Sequence, residues 1–166
     1  YRLNTLIEEY PKPYVAIQDG VTMGGGVGIS VHGDYRVATP NTMFAMPESG
    51  IGLFPDVGGG WFLPRLPGAL GMWLALTGER LKGEDVLAVG VATHFTEDAS
   101  GLADKLSAQG VAALEGLKTE ASPSFAEHLP EIDSCFDEPG VEEILACLEQ
   151  GSDWAQGQAK LLKTKS

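Results

Sequence analysis

TMGGGVGIS, residues 22–30, sets three glycines in a row and a fourth one residue later. Glycine weakens helix and strand interiors, so such a cluster marks a place where the backbone turns tightly or comes close to something. A dinucleotide-binding turn needs G-x-G-x-x-G. Counted from Gly24 the last position is Ile29, and from Gly26 it is Val31. A P-loop needs Gly-Lys-Ser/Thr, and no lysine lies between residues 13 and 81. A nucleophile elbow needs G-x-S-x-G, but Ser30 has Gly28 before it and His32 after it. Two readings stay open. The turn opens a helix whose free N–H groups, at the positive end of the helix dipole, hold a developing oxyanion. Or it serves only to pack a strand tightly against a helix.

The flanking sequence reads as α/β. A helix over 3–10 is broken by Pro11 and Pro13. Short apolar runs over 14–18, 35–38, 43–46 and 92–95 read as strands, and 27–31 as a short helix. Residues 48–60 read as a glycine-rich loop. Helices are expected over 61–66, 70–76 and 81–89, the last stopped by Gly90. Beyond Phe95 only helical periodicity remains, over 102–117, 125–136, 141–148 and 154–163. The expected organisation is an α/β part over 1–96 and a helical region over 97–166.

Composition narrows the function classes. Of 166 residues, 43% are hydrophobic and 20% charged, which excludes a disordered or collagen-like chain. No apolar run is long enough for a transmembrane helix. The net charge is −12, and residues 97–150 hold 13 acidic residues against Lys105 and Lys118 alone. That balance argues against nucleic acid and anionic membranes as partners. Cys135 and Cys147 form no C-x-x-C pair, so two reduced thiols in an intracellular protein are expected. His32, His94 and His128 have no metal-ligand spacing. Tyr1 is not an initiator, and the chain is expected to be a piece of a longer protein.

FAMPESGIGLFPDVGGG, residues 44–60, holds two acids eight apart. Glu48 and Asp56 each sit among apolar residues and glycines, where desolvation raises a carboxyl pKa and suits it to acid–base work. In extended chain they would stand up to roughly 26 Å apart, so a shared site requires the loop to fold back. Asp56 has a second reading, as the cap of a helix starting near Gly58. Glu48 has no such simple structural role.

MGGGVG, MPESGIGLFPD, GGGWFLPRLPG and LTGERLKGEDVLAVGVATHF together resemble the crotonase (enoyl-CoA hydratase/isomerase) superfamily, and within it the 3-hydroxyisobutyryl-CoA hydrolase family. The likeness is strong over 13–95 and weak in the helical region. It implies repeated ββα units forming a spiral, here in part, followed by C-terminal helices that pack back or mediate homo-oligomers. It also implies an acyl-CoA thioester substrate whose carbonyl is held by two backbone N–H groups. One matches Gly25, and the other would lie upstream, with most of the CoA-binding surface, in a missing N-terminal part.

The acids separate members of the superfamily. Hydratases carry two glutamates, at the positions of Gly28 and Glu48 here, and dienoyl-CoA isomerases carry an acid at the first of these. The hydrolase pattern has a small residue there, then the glutamate and an aspartate eight later, as in Gly28, Glu48 and Asp56. The resemblance thus implies thioester hydrolysis of (S)-3-hydroxyisobutyryl-CoA in valine breakdown. Glu48 would act as nucleophile or base. Asp56 would bind the substrate hydroxyl or assist the second step. No metal or redox cofactor is implied, and CoA enters with the substrate. The setting would be the mitochondrial matrix in a eukaryote or the cytoplasm in a bacterium. Enoyl-CoA isomerisation or hydration, and an inactive truncated paralogue acting through partners, are the competing readings. The isolated 166 residues are expected to be inactive.

Overall fold

The computed structural model describes residues 1–165, so Ser166, at the end of the expected helical region, lies outside the described residues. The chain forms two compact units, each built from two stretches. The first joins Tyr1–Phe44 to Leu81–Pro123, and the second joins Ala45–Arg80 to the chain from Ser124 onward. The expected organisational boundary after residue 96 falls inside the first unit.

In the first unit α1 (Arg2–Glu8) leads to β1 (Val15–Gln18), where β-branched Val15 and Ile17 alternate along one face. β1 pairs in parallel with β3 (Tyr35–Ala38), and β3 with β6 (His94–Phe95), in the register Ile17 to Val37 and Val37 to His94. Val37 is fully buried with Leu102 and Leu114, and Val15, Ile17, Tyr35, Leu106 and Leu117 pack against them. A second sheet pairs β2 (Val21–Thr22) in parallel with β4 (Met43–Phe44), and β4 antiparallel with β5 (Leu81–Lys82). β1 and β3 thus each run on into a strand of the other sheet, and α2 (Gly25–Gly28) follows β2.

The turns of this unit are latched by side chains. The Asp19 carboxylate accepts bonds from Thr39 Oγ1 at 2.7 Å and Asn41 Nδ2 at 3.0 Å. Those two bonds hold Asp19 below its ordinary carboxylate range. Thr42 Oγ1 donates to the Gln18 carbonyl. The chain just before Gly20 is thereby fixed against residues 39–42, ahead of the glycine run.

Several expected helix boundaries move for identifiable reasons. The segment 81–89 begins as β5 because Leu81 and Lys82 pair with Phe44 and Met43. Gly83, at φ +51°, then opens α5 (Glu84–Ala88). The helix expected over 102–117 stops as α6 (Leu102–Gln109), because Gly110 adopts φ +63° and a 3-10 turn over Gly110–Leu114 follows. The strand expected over 43–46 is confined to β4.

The second unit is helical. α3 (Gly59–Phe62) runs into a 3-10 turn, Leu63–Arg65, and then α4 (Leu70–Thr77). A Cβ on Gly71 would stand 2.0 Å from the Leu63 carbonyl oxygen, so only glycine permits this approach. Buried Trp73 donates Nε1–H to Gln158 Oε1 at 3.0 Å and meets the rings of Phe125 and Trp154. α7 (Leu129–Cys135), α8 (Val141–Glu149) and α9 (Asp153–Leu162) complete the unit, with Ile132, Ile144, Leu148, Ala155 and Ala159 buried. Ser152 caps α9 by accepting from Ala155 N–H. Asp133 Oδ1 accepts from Ala69 N–H at 3.0 Å, and Glu131 from Ser152 N–H at 2.8 Å.

Cys135 and Cys147 are joined by a disulfide, with Cα atoms 5.4 Å apart. This corrects the expectation of two reduced thiols. A spacing of twelve carries no local signature. It is the turn at residues 136–140 that returns the chain and brings α8 beside the end of α7.

Candidate active site

The glycine run starts the helix earlier than periodicity suggests. Gly24 takes φ +50° and ψ −121° as the residue before α2, a conformation that side chains disfavour, and α2 begins at Gly25 rather than near Val27. Ser30 Oγ donates to Gly26 O at 2.7 Å and Tyr14 Oη to Ile29 O at 2.9 Å, which fix the far end of the helix. The Gly25 N–H donates to no group among the described residues, and Gly25 is exposed. A Cβ built on Gly24 or Gly25 would meet nothing within 4 Å. The turn therefore presents a free donor to open space at the start of a helix, as a carbonyl-binding site requires.

The loop carrying the two acids is folded, not extended. Glu48 opens a 3-10 turn over Glu48–Ile51, closed by Gly52 at φ +73°. Gly50 N–H donates to Pro47 O at 2.9 Å and Leu53 N–H to Glu48 O at 3.1 Å. Ser49 Oγ donates to Leu76 O at 3.0 Å, tying the turn to the end of α4. Glu48 is 6% exposed, and its Oε2 has no hydrogen-bond partner. Burial pushes its carboxyl above the ordinary value, its own backbone N–H offsets part of that rise, and the negative charge of Asp56 adds to it.

Asp56 is half-buried, and its Oδ1 is also without a partner. The helix that follows is preceded by Gly58 at φ +91°, with no side-chain cap. The capping reading of Asp56 is thus corrected: what Gly59 N–H reaches, at 2.7 Å, is the Asp56 backbone carbonyl. Between Asp56 and Gly58, Val57 adopts φ +44°, costly for a β-branched residue. Strain of this kind persists only where the surroundings enforce it. The structure brings Glu48 and Asp56 within electrostatic reach inside the second unit. Gly25 lies in the first unit.

Next to Pro55, which precedes Asp56, the second unit carries an open, largely apolar cavity of about 370 Å³, lined by Phe54, Pro55, Leu63, Met72 and Phe136, with Asp137 and Glu138 also at its wall. Residues 136–138 lie some eighty positions downstream of Pro55, so no spacing in the sequence announces their share in this wall. The signal available was compositional only, an acidic turn flanked by two cysteines.

The whole chain, residues 1–166, matches the family model described as enoyl-CoA hydratase/isomerase. It is 52% identical, over its full length, to a rat protein named 3-hydroxyisobutyryl-CoA hydrolase, mitochondrial, and 50% identical to the human protein of that name. In each case it covers 47% of the relative, so the chain spans about half the length of the curated proteins it matches. Among solved structures it superposes on a carnitinyl-CoA dehydratase from Mycobacterium thermoresistibile with a TM-score of 0.92 and 43% identity, covering all of this chain and 50% of that one. An enoyl-CoA hydratase from Rhodobacter sphaeroides follows at 0.85 and 37%, covering all of this chain and 49% of that one.

Proposed function

Because the chain belongs to the enoyl-CoA hydratase/isomerase family, we propose that the protein in full length hydrolyses a short 3-hydroxyacyl-CoA thioester, (S)-3-hydroxyisobutyryl-CoA from valine breakdown. The observation that carries this reading is the pair Glu48 and Asp56: two neighbouring carboxylates, each with a buried oxygen lacking a donor, in a sequence whose position 28 is a glycine with no side chain.

Hydration of an enoyl thioester in this superfamily calls on a second glutamate where Gly28 stands. Without it, one carboxylate remains for chemistry at the acyl carbon. The Gly25 N–H polarises the thioester carbonyl and receives its developing negative charge. Glu48 then serves in one of two ways. As nucleophile it attacks the carbonyl carbon and expels the CoA thiolate, leaving an anhydride that water opens. As base it takes a proton from the water that attacks directly. A carboxyl raised by burial is the stronger proton acceptor, which favours either task. Asp56 accepts a hydrogen bond from the substrate 3-hydroxyl. Neither route calls for a metal or a redox cofactor, and CoA arrives as part of the substrate.

The names of the curated relatives support a mitochondrial matrix setting in a eukaryote, and the bacterial counterpart would act in the cytoplasm. The C-terminal helices are the proposed contact in a homo-oligomer. A second reading, hydration or isomerisation of an enoyl-CoA, draws on the names of the two solved neighbours. Free-thiol release from (S)-3-hydroxyisobutyryl-CoA, measured beside absorbance loss with crotonyl-CoA, separates the two. Thiol release without hydration is the expected result. Hydration without thiol release would replace this reading by the second.

A further inference from the structure

We propose that the Cys135–Cys147 disulfide is a reversible redox clamp on the wall of the apolar cavity next to Pro55. The bond joins the last residue of α7 to α8 across the turn 136–140. Three residues of that turn, Phe136, Asp137 and Glu138, line the cavity together with Phe54 and Pro55. Phe136 is 2% exposed, so the position of the turn sets the shape of the wall.

Three features make the clamp separable from the fold. α7 is held independently by Asp133 to Ala69 N–H and by Glu131 to Ser152 N–H. Ile132, Ile144 and Leu148 are each exposed by 2% or less, so apolar burial as well as the sulfur bond holds α7 and α8. Cys147 is half-buried, while Cys135 is 3% exposed, so an external thiol reaches Cys147 first. Opening the bond therefore frees the turn without removing the contacts that hold the two helices.

The step is a thiol–disulfide exchange. One thiolate of a dithiol attacks Cys147 Sγ, forming a mixed disulfide and releasing Cys135 as a thiolate that takes a proton. The second thiol of the reductant closes on the first and releases Cys147 as a thiol. Two electrons pass, the dithiol becomes a cyclic disulfide, and the protein gains two thiols. Glu131 and Glu143 each stand four residues before one of the cysteines on the same helix face. Their charge repels the additional carboxylate charge of glutathione, so the clamp is matched to a dithiol that carries no charge besides its attacking thiolate.

The effect on substrate binding rests on the thioester reading above, whereas the effect on the turn does not. The test uses the full-length protein, oxidised or treated with dithiothreitol, with alkylation and mass spectrometry to count thiols at Cys135 and Cys147. Hydrogen exchange of the amides of residues 136–138 and 140 is expected to rise about tenfold on reduction. KM for the thioester should rise severalfold, with kcat held within about twofold, because neither cysteine touches the reacting atoms. Glutathione at the same thiol concentration should reduce the pair more slowly. C135S/C147S should match the reduced protein and ignore dithiothreitol. If that variant misfolds, the titration of the unaltered protein still decides. Equal exchange and equal KM in both states overturn the clamp, as do thiols that never close under a mild disulfide oxidant. Exchange that responds while no thioester is hydrolysed in either state would leave the clamp standing and remove the proposed function.

Discussion

Asp56 bears electrostatically on Glu48, and each of the two carboxylates buries one oxygen that no donor reaches. Two acceptors buried together without donors are costly, and the protein must have a use for the arrangement or lose stability to it. The first expected outcome follows from this. Glu48→Gln should reduce thiol release by roughly 10³-fold or more, since the group is asked to form or activate the new bond to carbon. The same variant should not melt earlier than the unaltered protein at neutral pH, because it removes a charge whose burial is unfavourable. A large drop in both activity and Tm would mean that Glu48 is structural.

The pH dependence has a definite sign. On the proposed mechanism Glu48 acts in its ionised form, and burial with the Asp56 charge raises its pKa above the ordinary value of 4.5. The acid limb of kcat/KM should therefore lie above the ordinary glutamate range, activity falling as pH drops through the raised value. Asp56→Asn removes the repulsion and should move that limb to lower pH. For stability the direction is opposite. A carboxyl with a raised folded pKa favours the native state below its unfolded value, and that advantage is lost as pH rises through the folded value. A limb that stays in place in Asp56→Asn would argue that desolvation alone sets the Glu48 pKa.

Adjacent glycines should respond differently. Gly25→Ala finds open space and no forbidden φ, so Tm should hold or rise by the equivalent of about 0.5–1 kcal/mol while kcat/KM falls, because the new methyl occupies the approach to the N–H. Gly24→Ala forces a side chain to φ +50° and should cost about 1–2 kcal/mol in thermal or denaturant unfolding. Full activity in Gly25→Ala would remove this N–H from the carbonyl-binding role.

Gly71→Ala should be among the most destabilising single changes in the second unit. Its Cβ would stand 2.0 Å from the Leu63 carbonyl oxygen, so α4 and the preceding turn must separate. Denaturant unfolding is expected to show a loss of about 3 kcal/mol. A neutral result would mean that the turn at Leu63–Arg65 shifts freely.

How far these features could be read in advance depended on whether their cause was local. β1 and β3 were legible because Val15, Ile17 and Val37 carry both β-branching and alternation. β2 and β5 were not, because two-residue strands exist only through pairing with β4, residues away in sequence. α2 starts two residues before the Val27 that the sequence suggests, since propensity discourages helix in Gly25 and Gly26 while the packing held by Ser30 and Tyr14 permits it. At the site, both acids stand among apolar residues in the sequence, Glu48 being set apart by having no simple structural role, and its burial agrees with the apolar setting. Asp56 admitted two readings, and only the observed geometry at Gly58 discards the cap. The sulfur pairing had no local trace, since it depends on where a distant turn sends the chain.

The aromatic residues of the two units divide in a way that gives an optical handle. Trp61, Trp73 and Trp154 all belong to the second unit, while Tyr1, Tyr10, Tyr14 and Tyr35 all belong to the first. Trp73 is sealed in the interior, and Trp154 stacks on His128 with ring centroids 4.4 Å apart. Indole emission excited at long wavelength therefore reports only on the half of the molecule that carries Glu48, Asp56 and the disulfide. Phenol absorbance, with the overlapping indole band subtracted, reports on the half that carries the glycine turn. Melting followed at the two wavelengths resolves whether the halves come apart together or in succession, with no label introduced.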